Sequence, residues 1–398
     1  MKLWSYQGAV LGACTLAFFA TMAARLAISP VVPAIGDAFA VSNSAIGLAL
    51  TGMWGAYALS QFPSGLLADR YGERRIILVA VGGTAVASGL LAASSSYVIF
   101  LIGAVGLGGV AGLHYSVATS LLTRTIPNTG SAIGIHTAGA PVAGLLIPLA
   151  AGAVGAWVGW RWAVALGVVV AVPTVLLFWA VVRPIAPVRP DQSVWSRLCV
   201  GPLLELLGRP PIARTTGLSV AGAFVWQATA SFLPAFLIEY HGYSGTVASA
   251  LFSVYFAIQG VTQPALGTLS DRIGRDPAAA MATAVGVGGY VVLVVGPNLW
   301  IVGGGVVCAG LAMCWGAALL PKFMDHLDEA ERSAGFGLIR SAYMILGAAG
   351  SVVTGAAPDL LGWGPAFLGL AVLMGGMLAV LLYQMRRIRP SQEPRVSP

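Results

Sequence analysis

The chain has 398 residues, of which 58% are hydrophobic and only 9% are charged, and its formal net charge is +7. Soluble globular proteins carry about 25% charged residues, so this composition excludes a water-soluble domain and indicates an integral membrane protein. The mean hydropathy of +0.86 agrees with that interpretation. The excess of positive charge fits arginines at the cytoplasmic ends of membrane spans better than a surface for nucleic acid.

Apolar stretches that approach the roughly 20 residues needed to cross a bilayer recur along the whole chain. The predicted spans cover residues 8–35, 45–68, 76–94, 97–123, 130–154, 161–182, 215–239, 246–268, 277–296, 299–321, 333–357 and 364–385. All should be helices, because lipid offers no hydrogen-bond partner to an open backbone. A polar, proline-rich segment divides them six and six. We therefore predict an all-α membrane protein with an amino-terminal six-helix bundle (1–182), a cytoplasmic linker (183–214) and a carboxyl-terminal bundle with a short basic tail (215–398).

A tight charged turn, GLLADRYGERR at residues 65–75, follows the second predicted span, and a weaker copy, GTLSDRIGRD, stands at 267–276. The two copies lie about half the chain apart, which indicates an internal duplication. All but three of the 21 Lys and Arg residues fall in segments on one side of the predicted membrane. This asymmetry predicts that both termini are cytoplasmic.

Twelve spans in a six-plus-six arrangement, with this Asp-Arg-x-Gly turn after span 2 and its echo after span 8, resemble the major facilitator superfamily of secondary transporters over nearly the whole chain. The resemblance implies two bundles with pseudo-two-fold symmetry in the cell membrane, which rock about a central site. In that family the charges of the turn latch the bundles together on the cytoplasmic side. The alternative is that the arginines only set topology. The matching gating candidates are Gly65, Asp69, Arg70, Gly72, Arg74, Arg75, Asp271 and Arg272.

Two arginines lie inside predicted spans, where charges are costly and usually functional. Arg25 is deep in span 1 and Arg340 is in span 11, whereas none of the 14 acidic residues falls at mid-membrane. Family geometry places span 1 and parts of span 11 at the central cavity, in opposite bundles. Two guanidiniums at one cavity need an anion, and a carboxylate or phosphate satisfies them through forked hydrogen bonds. The alternatives are that Arg25 snorkels to the outer interface, and that Arg340 reaches the inner surface or pairs with a loop acid.

Two histidines also fall within spans, His114 in span 4 and His136 in span 5. They are the candidates for proton coupling, because histidine changes charge near neutral pH; the alternative is a structural hydrogen bond between helices. Other polar and aromatic residues are candidates for contact with a substrate, although any one of them is also explained by helix packing. These candidates are Tyr57, Gln61, Trp226, Gln227, Tyr255, Gln259 and Tyr343, with Tyr115 and Trp315 beside them.

These observations predict a secondary transporter for a small organic anion, a carboxylate or phosphorylated metabolite, that works as a proton symporter or an anion exchanger. The alternative is a proton-coupled exporter of drugs or other lipophilic or cationic compounds. Such an exporter would need a buried acid that the spans lack. Proton-coupled drug exporters of this family also often carry an arginine in the first half of span 4, and this chain has none there. A non-transporting sensor would need an added signalling domain, for which the linker and tail are short.

No nucleotide-binding motif or metal-ligand cluster stands out, so we expect no cofactor, no enzyme activity and no ATP-driven pump. The expected partners are a small molecule and the lipid bilayer, with no nucleic acid. We expect the protein to be a monomer.

Overall fold

The computed structural model describes residues 6–184, 186–191, 201–328 and 332–388. Every regular element in these ranges is helical, which confirms the all-α prediction. Spans 1 to 6 cover Tyr6–Phe39, Asn43–Tyr71, Glu73–Ala92, Tyr97–Thr125, Thr129–Val158 and Trp160–Val181. Spans 7 to 12 cover Pro210–Glu239, Gly245–Ile273, Arg275–Val295, Leu299–Met324, Arg332–Leu361 and Trp363–Ile388.

Eleven of the described helical segments are long and apolar enough to cross a membrane. The twelfth is span 2, whose 29 residues suffice in length but include polar side chains such as Thr51 and Gln61. Span 2 packs against span 11 of the other bundle, so part of its surface meets protein and not lipid. This packing explains why its composition is less apolar than that of its neighbours.

The segment predicted as a linker, 183–214, is described only in part, because residues 185 and 192–200 lie outside the described ranges. It holds a short helix, Gly201–Leu207, and span 7 already begins at Pro210. The predicted basic tail lies mostly outside the described residues. We call the side of the molecule where spans 2, 4, 6, 8, 10 and 12 end the linker face, and the opposite side the far face.

Four spans are broken into shorter helices. Spans 4 and 10 break at equivalent places in the two halves, which is the structural trace of the duplication. Pro30, which lacks a backbone N–H, stands at the break in span 1. The pieces of spans 1, 4, 5 and 10 are Tyr6–Leu26 with the 3-10 turn Ser29–Val31 and Val32–Phe39; Tyr97–Gly112 with His114–Thr125; Thr129–Thr137 with Gly139–Val158; and Leu299–Ala312 with Trp315–Met324.

The helix starts repeat between the halves as well. The side chains of Ser42 and Ser244 cap the first turns of spans 2 and 8, and those of Ser96 and Asn298 cap spans 4 and 10. Each cap satisfies backbone N–H groups that have no partner within the helix. Span 2 therefore begins in the same way as span 8, and span 4 in the same way as span 10.

The packing follows the duplication. Span 2 packs on span 4 as span 8 packs on span 10, and span 3 packs on span 6 as span 9 packs on span 12. Close backbone approach depends on equivalent glycines: a Cβ at Gly108 would lie 1.9 Å from the Met53 carbonyl oxygen, and one at Gly310, 202 positions on, would lie 2.7 Å from that of Tyr255. Spans 2 and 11, and spans 5 and 8, meet across the boundary between the bundles.

On the far face the bundles are joined by hydrogen bonds. The Ser29 hydroxyl of span 1 donates to the Ala230 carbonyl of span 7 at 2.5 Å. Thr51 of span 2 donates to the Ala348 carbonyl of span 11 at 2.9 Å and accepts from the Val352 N–H at 2.9 Å. The far-face half of the molecule is therefore closed.

Candidate functional site

A cavity of about 530 Å³ lies between the two bundles. Spans 1, 2, 4 and 5 form one wall, and spans 7, 8, 10 and 11 form the other. Its lining extends to Gly134 and Leu320, which lie near the linker-face ends of spans 5 and 10. Since the far-face half is closed, the cavity opens toward the linker face.

Most of the residues predicted to contact a substrate line this cavity. They are Arg25, Tyr57, Trp226, Gln227, Gln259, Arg340 and Tyr343. Gln61 does not: it is 5% exposed and its amide reaches the Met344 sulfur at 3.5 Å. Tyr255 does not either: it is fully buried beside Phe256, with ring centres 5.0 Å apart. Gln259, 202 positions after Tyr57, occupies the position in the second half that Tyr57 occupies in the first, whereas Tyr255 corresponds to Met53.

Arg25 projects into the cavity from the last turn of the first helix of span 1. It is 1% exposed, and its Nε donates to the Thr21 carbonyl at 3.0 Å. The guanidinium carbon lies 3.9 Å from the centre of the Tyr57 ring and 5.0 Å from that of Trp54. The two terminal nitrogens are buried and have no hydrogen-bond partner among the described residues. Because ring stacking occupies the face of the guanidinium, its in-plane N–H groups stay available to an acceptor.

Arg340 lies on the opposite wall of the cavity. Its guanidinium carbon stands 4.4 Å from the centre of the Tyr115 ring, and this contact joins span 11 of one bundle to span 4 of the other. Arg340 is partly exposed, in contrast to Arg25. No Asp or Glu is among the described residues that line the cavity, so its fixed side-chain charges are two cations.

The two histidines lie together behind the cavity wall. His114 and His136 are fully buried, and their ring centres are 5.5 Å apart. The Phe18 ring, which lines the cavity, lies 5.9 Å from His114 and 5.2 Å from His136. None of the four ring nitrogens makes a well-oriented hydrogen bond within the described ranges, and the nearby backbone group for both rings is that of Cys14 in span 1. The sequence placed both in spans, but only the fold shows that they form a pair.

Trp54 is a cavity residue that the sequence interpretation missed. It stands three positions before Tyr57 on span 2, so the helical repeat that placed Tyr57 at the cavity was a signal for Trp54 too. Its indole nitrogen and that of Trp315 are buried without a partner in the described part of the chain, as is the side-chain oxygen of Gln227. Together with the terminal nitrogens of Arg25, the buried unpartnered polar atoms of the wall are therefore mainly donors.

The charged turn after span 2 makes its strongest contact through a residue outside the predicted set. Gly72 ends span 2 at φ +89°, a conformation that favours glycine. The next residue, Glu73, is 2% exposed and pairs with Arg124 of span 4 at 2.5 Å. In the second half, Asp276 pairs with Lys322 of span 10 at 2.6 Å. Both pairs join neighbouring spans of one bundle.

The predicted gating residues show varied surroundings. Arg74 donates to the Trp179 carbonyl at 2.7 Å, and Asp271 pairs with Arg275 at 2.5 Å, again within one bundle. The Asp69 carbonyl accepts from the Arg189 N–H at 2.8 Å. The remaining candidates are less engaged: Arg70 lies beside the Tyr71 ring, Arg75 and Arg272 are exposed, and a Cβ added at Gly65 would meet no described atom within 4 Å.

Two helical bundles around a central cavity that opens to one face are the architecture of a membrane transporter. The chain belongs to the Major Facilitator Superfamily, whose family model matches residues 14–248 and 215–398. The resemblance inferred from the charged turn is thus confirmed.

The relatives cover several kinds of transport. A class C tetracycline resistance protein of Escherichia coli is 32% identical over 136 residues, which is 33% of this chain and 34% of that protein. A hexuronate transporter of Bacillus subtilis is 22% identical over 261 residues, 64% of this chain and 62% of that protein. Both matches span less than two thirds of the relative's length.

A solved structure supports the fold. The inward-facing, occupied form of a bacterial homologue of the human lysosomal transporter Spinster superposes with a TM-score of 0.79 at 18% identity, over 97% of this chain and 98% of that one. At this identity the likeness concerns the fold alone.

Proposed function

We propose that the protein is a secondary active transporter of a small organic anion, which binds in the central cavity with its acidic group at Arg25. The observation that carries the proposal is the state of that guanidinium, which is buried, faces the cavity and has two terminal nitrogens without a partner among the described residues. An uncompensated charge in a buried site is costly. A carboxylate or phosphate would satisfy both nitrogens through a forked pair of hydrogen bonds.

The placement of the two arginines suggests how an anion would drive transport. Arg25 belongs to one bundle and Arg340 to the other, and the bundles correspond to the proposed moving bodies 1–182 and 215–398. Closing an empty cavity would remove Arg340 from water beside the already buried Arg25, whereas a bound anion would offset that cost. The loaded protein would therefore close its linker face more readily than the empty one. A protein that changes conformation only with a bound anion behaves as an exchanger. A proton-coupled symporter would also have to change conformation with an empty cavity, which needs a further means of offsetting the charge.

His114 and His136 are the proposed proton carriers of the symport version. Their ring nitrogens make no well-oriented hydrogen bond within the described ranges, which supports that role, and Phe18 separates them from the cavity, so a proton would have to pass this ring. We place the linker face in the cytoplasm because of its excess of arginine. When that face closes, Asp69, Arg70 and their neighbours in the turn would form the latch between the bundles.

Among the relatives, a transporter of hexuronates, which are sugar carboxylates, supports an anionic substrate. The second candidate function is a proton-coupled exporter of lipophilic or cationic compounds. A tetracycline resistance protein among the relatives and the aromatic lining of the cavity favour it. The lack of an acid among the described lining residues argues against it, because a cation would meet only positive charge.

Thermal unfolding in detergent tests the anion site. Wild type and Arg25→Gln are each scanned with small carboxylates, phosphorylated metabolites and lipophilic cations. A ligand that binds the folded form raises the melting temperature, in proportion to ln(1 + [L]/Kd). The matched control is Arg161→Gln, because Arg161 lies outside the cavity lining and donates to the Ser94 carbonyl at 3.0 Å.

We expect anions to stabilise wild type and Arg161→Gln but not Arg25→Gln. Stabilisation of all three proteins by cations alone would refute the anion site and favour the exporter. Proteoliposomes then separate the coupling modes: counterflow of anion without a pH gradient indicates exchange. Uptake that needs the gradient and is lost in His114→Gln with His136→Gln indicates symport.

A further inference from the structure

We propose that the anion taken up at Arg25 is an arylcarboxylate: a single carboxylate attached to a planar aromatic body. This inference rests on the proposed function and narrows its substrate class. It follows from what surrounds the guanidinium, since the groups next to the anchoring charge meet the body of the ligand.

Aromatic rings continue from Arg25 across the boundary between the bundles. The guanidinium lies over Tyr57 and near Trp54, and Trp54 meets Trp226 of span 7 with ring centres 5.2 Å apart at an angle of 77°. Trp226 in turn meets Phe256 of span 8 at 6.2 Å and 79°. All of these rings line the cavity. We call Tyr57, Trp54, Trp226 and Phe256 the aromatic arc.

The geometry of the arc suits a flat ligand. Two rings at nearly right angles form a corner, in which a third ring can meet one by its face and the other by its edge. These are the arrangements that aromatic pairs prefer. The cavity volume of about 530 Å³ also lies in the range of pockets that enclose ring-sized ligands, well above the need of a one- or two-carbon acid.

The most buried part of the wall argues against a polyhydroxylated body. The buried side-chain atoms of the lining that have no partner among the described residues are the terminal nitrogens of Arg25, the indole nitrogens of Trp54 and Trp315, and the Gln227 oxygen. The Gln259 oxygen already accepts from the Trp226 indole at 3.4 Å. Beside Arg25, sugar hydroxyls would therefore meet ring faces and indole donors, and an O–H group that loses its water there without an acceptor costs binding energy.

The difference between the two arginines argues for one carboxylate. Arg25 is 1% exposed and its terminal nitrogens have no partner among the described residues, so it requires an anion. Arg340 is partly exposed and lies over the Tyr115 ring of the opposite bundle, so water and that ring support its charge without a ligand. The ligand therefore needs no second carboxylate to neutralise Arg340.

The test compares closely matched probes on the purified full chain in detergent, with dissociation constants from melting-temperature shifts. Benzoate, phenylacetate and indole-3-acetate carry one carboxylate and a ring. Cyclohexanecarboxylate keeps the charge and the size but has a saturated ring, and benzamide keeps the ring without the charge. Glucuronate and succinate represent polyhydroxylated and dicarboxylate anions. We expect at least one arylcarboxylate to bind about 5- to 10-fold more tightly than cyclohexanecarboxylate, and benzamide, glucuronate and succinate to bind more weakly still.

Two tryptophan variants assign the preference to the aromatic arc. Trp226→Leu should abolish the preference for benzoate over cyclohexanecarboxylate while keeping some affinity for both. Trp300→Leu should keep the preference, because Trp300 is 86% exposed at the far-face start of span 10. If Trp226→Leu does not fold, the ratio measured on wild type still decides.

The outcomes separate this inference from the function on which it rests. Equal binding of benzoate and cyclohexanecarboxylate, or tighter Arg25-dependent binding of glucuronate or succinate, overturns the aromatic substrate class and leaves the anion site standing. If no carboxylate in the series, with or without a ring, binds in an Arg25-dependent way, both the inference and the proposed function are wrong.

Discussion

The far face and the linker face of this protein use their polar side chains for different purposes. On the far face, the Asp359 carboxylate at the end of span 11 accepts hydrogen bonds from the N–H groups of Asn43 and Ser44, at 3.3 and 2.8 Å, and from the Ser44 hydroxyl. It thus caps span 2 of the opposite bundle, where the helix dipole favours a negative charge. On the linker face, the pairs Glu73–Arg124 and Asp276–Lys322 each join two spans of one bundle.

The difference teaches which contacts would break in the proposed transport cycle. In that cycle the contacts between bundles on the far face would open to expose the cavity there, whereas contacts inside a bundle would persist. Substitutions on the far face should therefore shift the balance between conformations, and substitutions inside a bundle should lower the stability of the fold.

A pair of spin labels can report the shift between conformations. Trp157→Cys and Trp300→Cys suit this purpose, because both positions are more than four-fifths exposed at the far face, in opposite bundles.

The largest loss of stability is expected when alanine replaces a glycine at a close contact between helices. A Cβ at Gly108 would lie 1.9 Å from the Met53 carbonyl oxygen of the same bundle, so Gly108→Ala should cost about 3 kcal/mol of unfolding free energy. A Cβ at Gly47 would lie 2.7 Å from the Ser351 oxygen of the other bundle, and separation of the bundles relieves that clash. Gly47→Ala should therefore lengthen the label distance with a smaller loss of stability.

Thermal unfolding and the label distance check this pair of glycines, in a background whose native cysteines are replaced by alanine. The control is Gly106→Ala, where an added Cβ meets no described atom within 4 Å. If Gly47→Ala lowers the melting temperature as much as Gly108→Ala and leaves the distance unchanged, the distinction between the two kinds of contact is mistaken.

A smaller loss of stability is expected from breaking an ion pair within one bundle. Arg124→Ala leaves the buried Glu73 carboxylate without its partner. Since Arg124 is itself about half exposed, the cost should be about 2 kcal/mol, less than for a fully buried pair. Unfolding by denaturant in detergent measures this loss. The far-face label distance should stay as in the wild type, and a longer distance would contradict the assignment of this pair to one bundle's stability.

Removal of the far-face cap should change conformation more than stability. Asp359→Asn removes the charge at the start of span 2 and should shift the equilibrium toward the far-face-open form by about 1 kcal/mol, roughly five-fold. The fraction of long distances between the two labels measures the shift. Asp37→Asn is the matched control, because Asp37 is an exposed acid on the same face. An equal response of both variants would show that the cap does not hold the bundles together.

The smallest effect is expected at Arg272. Its side chain is exposed, and Arg272→Ala should change the free energy of unfolding by less than about 0.5 kcal/mol. Transport rates in proteoliposomes give the sharper measurement. An unchanged rate restricts this arginine to setting topology, whereas a large loss of rate with an intact melting temperature supports its place in the latch.

Most of the fold could be predicted, because hydropathy is a property of local composition. The predicted spans coincide with the helical segments within a few residues, and the turn at Gly72 has the positive φ that its sequence suggested. The breaks in spans 4, 5 and 10 were not predicted. Pro141, in the first turn after the break in span 5, marks that break much as Pro30 marks span 1. No proline stands at the breaks in spans 4 and 10, so the apolar pattern runs through them without a local signal.

The candidate site was predictable in part. An arginine inside an apolar span draws attention by itself, and both Arg25 and Arg340 line the cavity. Among the residues of span 2, Tyr57 and Trp54, three residues before it, line the cavity, whereas Gln61, four residues after Tyr57, does not. On span 8, Gln259 lines the cavity and Tyr255, four residues before it, is buried. Spacing fixes which residues share a helix face; it does not fix how that face is turned.

The amino-acid sequence by itself determined that this protein resides in a membrane, crosses it with two similar sets of helices and carries unbalanced positive charge within them. These properties follow from the cost of placing polar groups in lipid, which each segment meets independently of the others. Only the tertiary structure decided that Arg25 stacks on Tyr57 with free nitrogens, that His114 and His136 form a pair, and that Asp359 caps a helix of the other bundle. Each of these depends on the rotation and contact of helices distant in the chain, which result from packing and leave no trace in local composition.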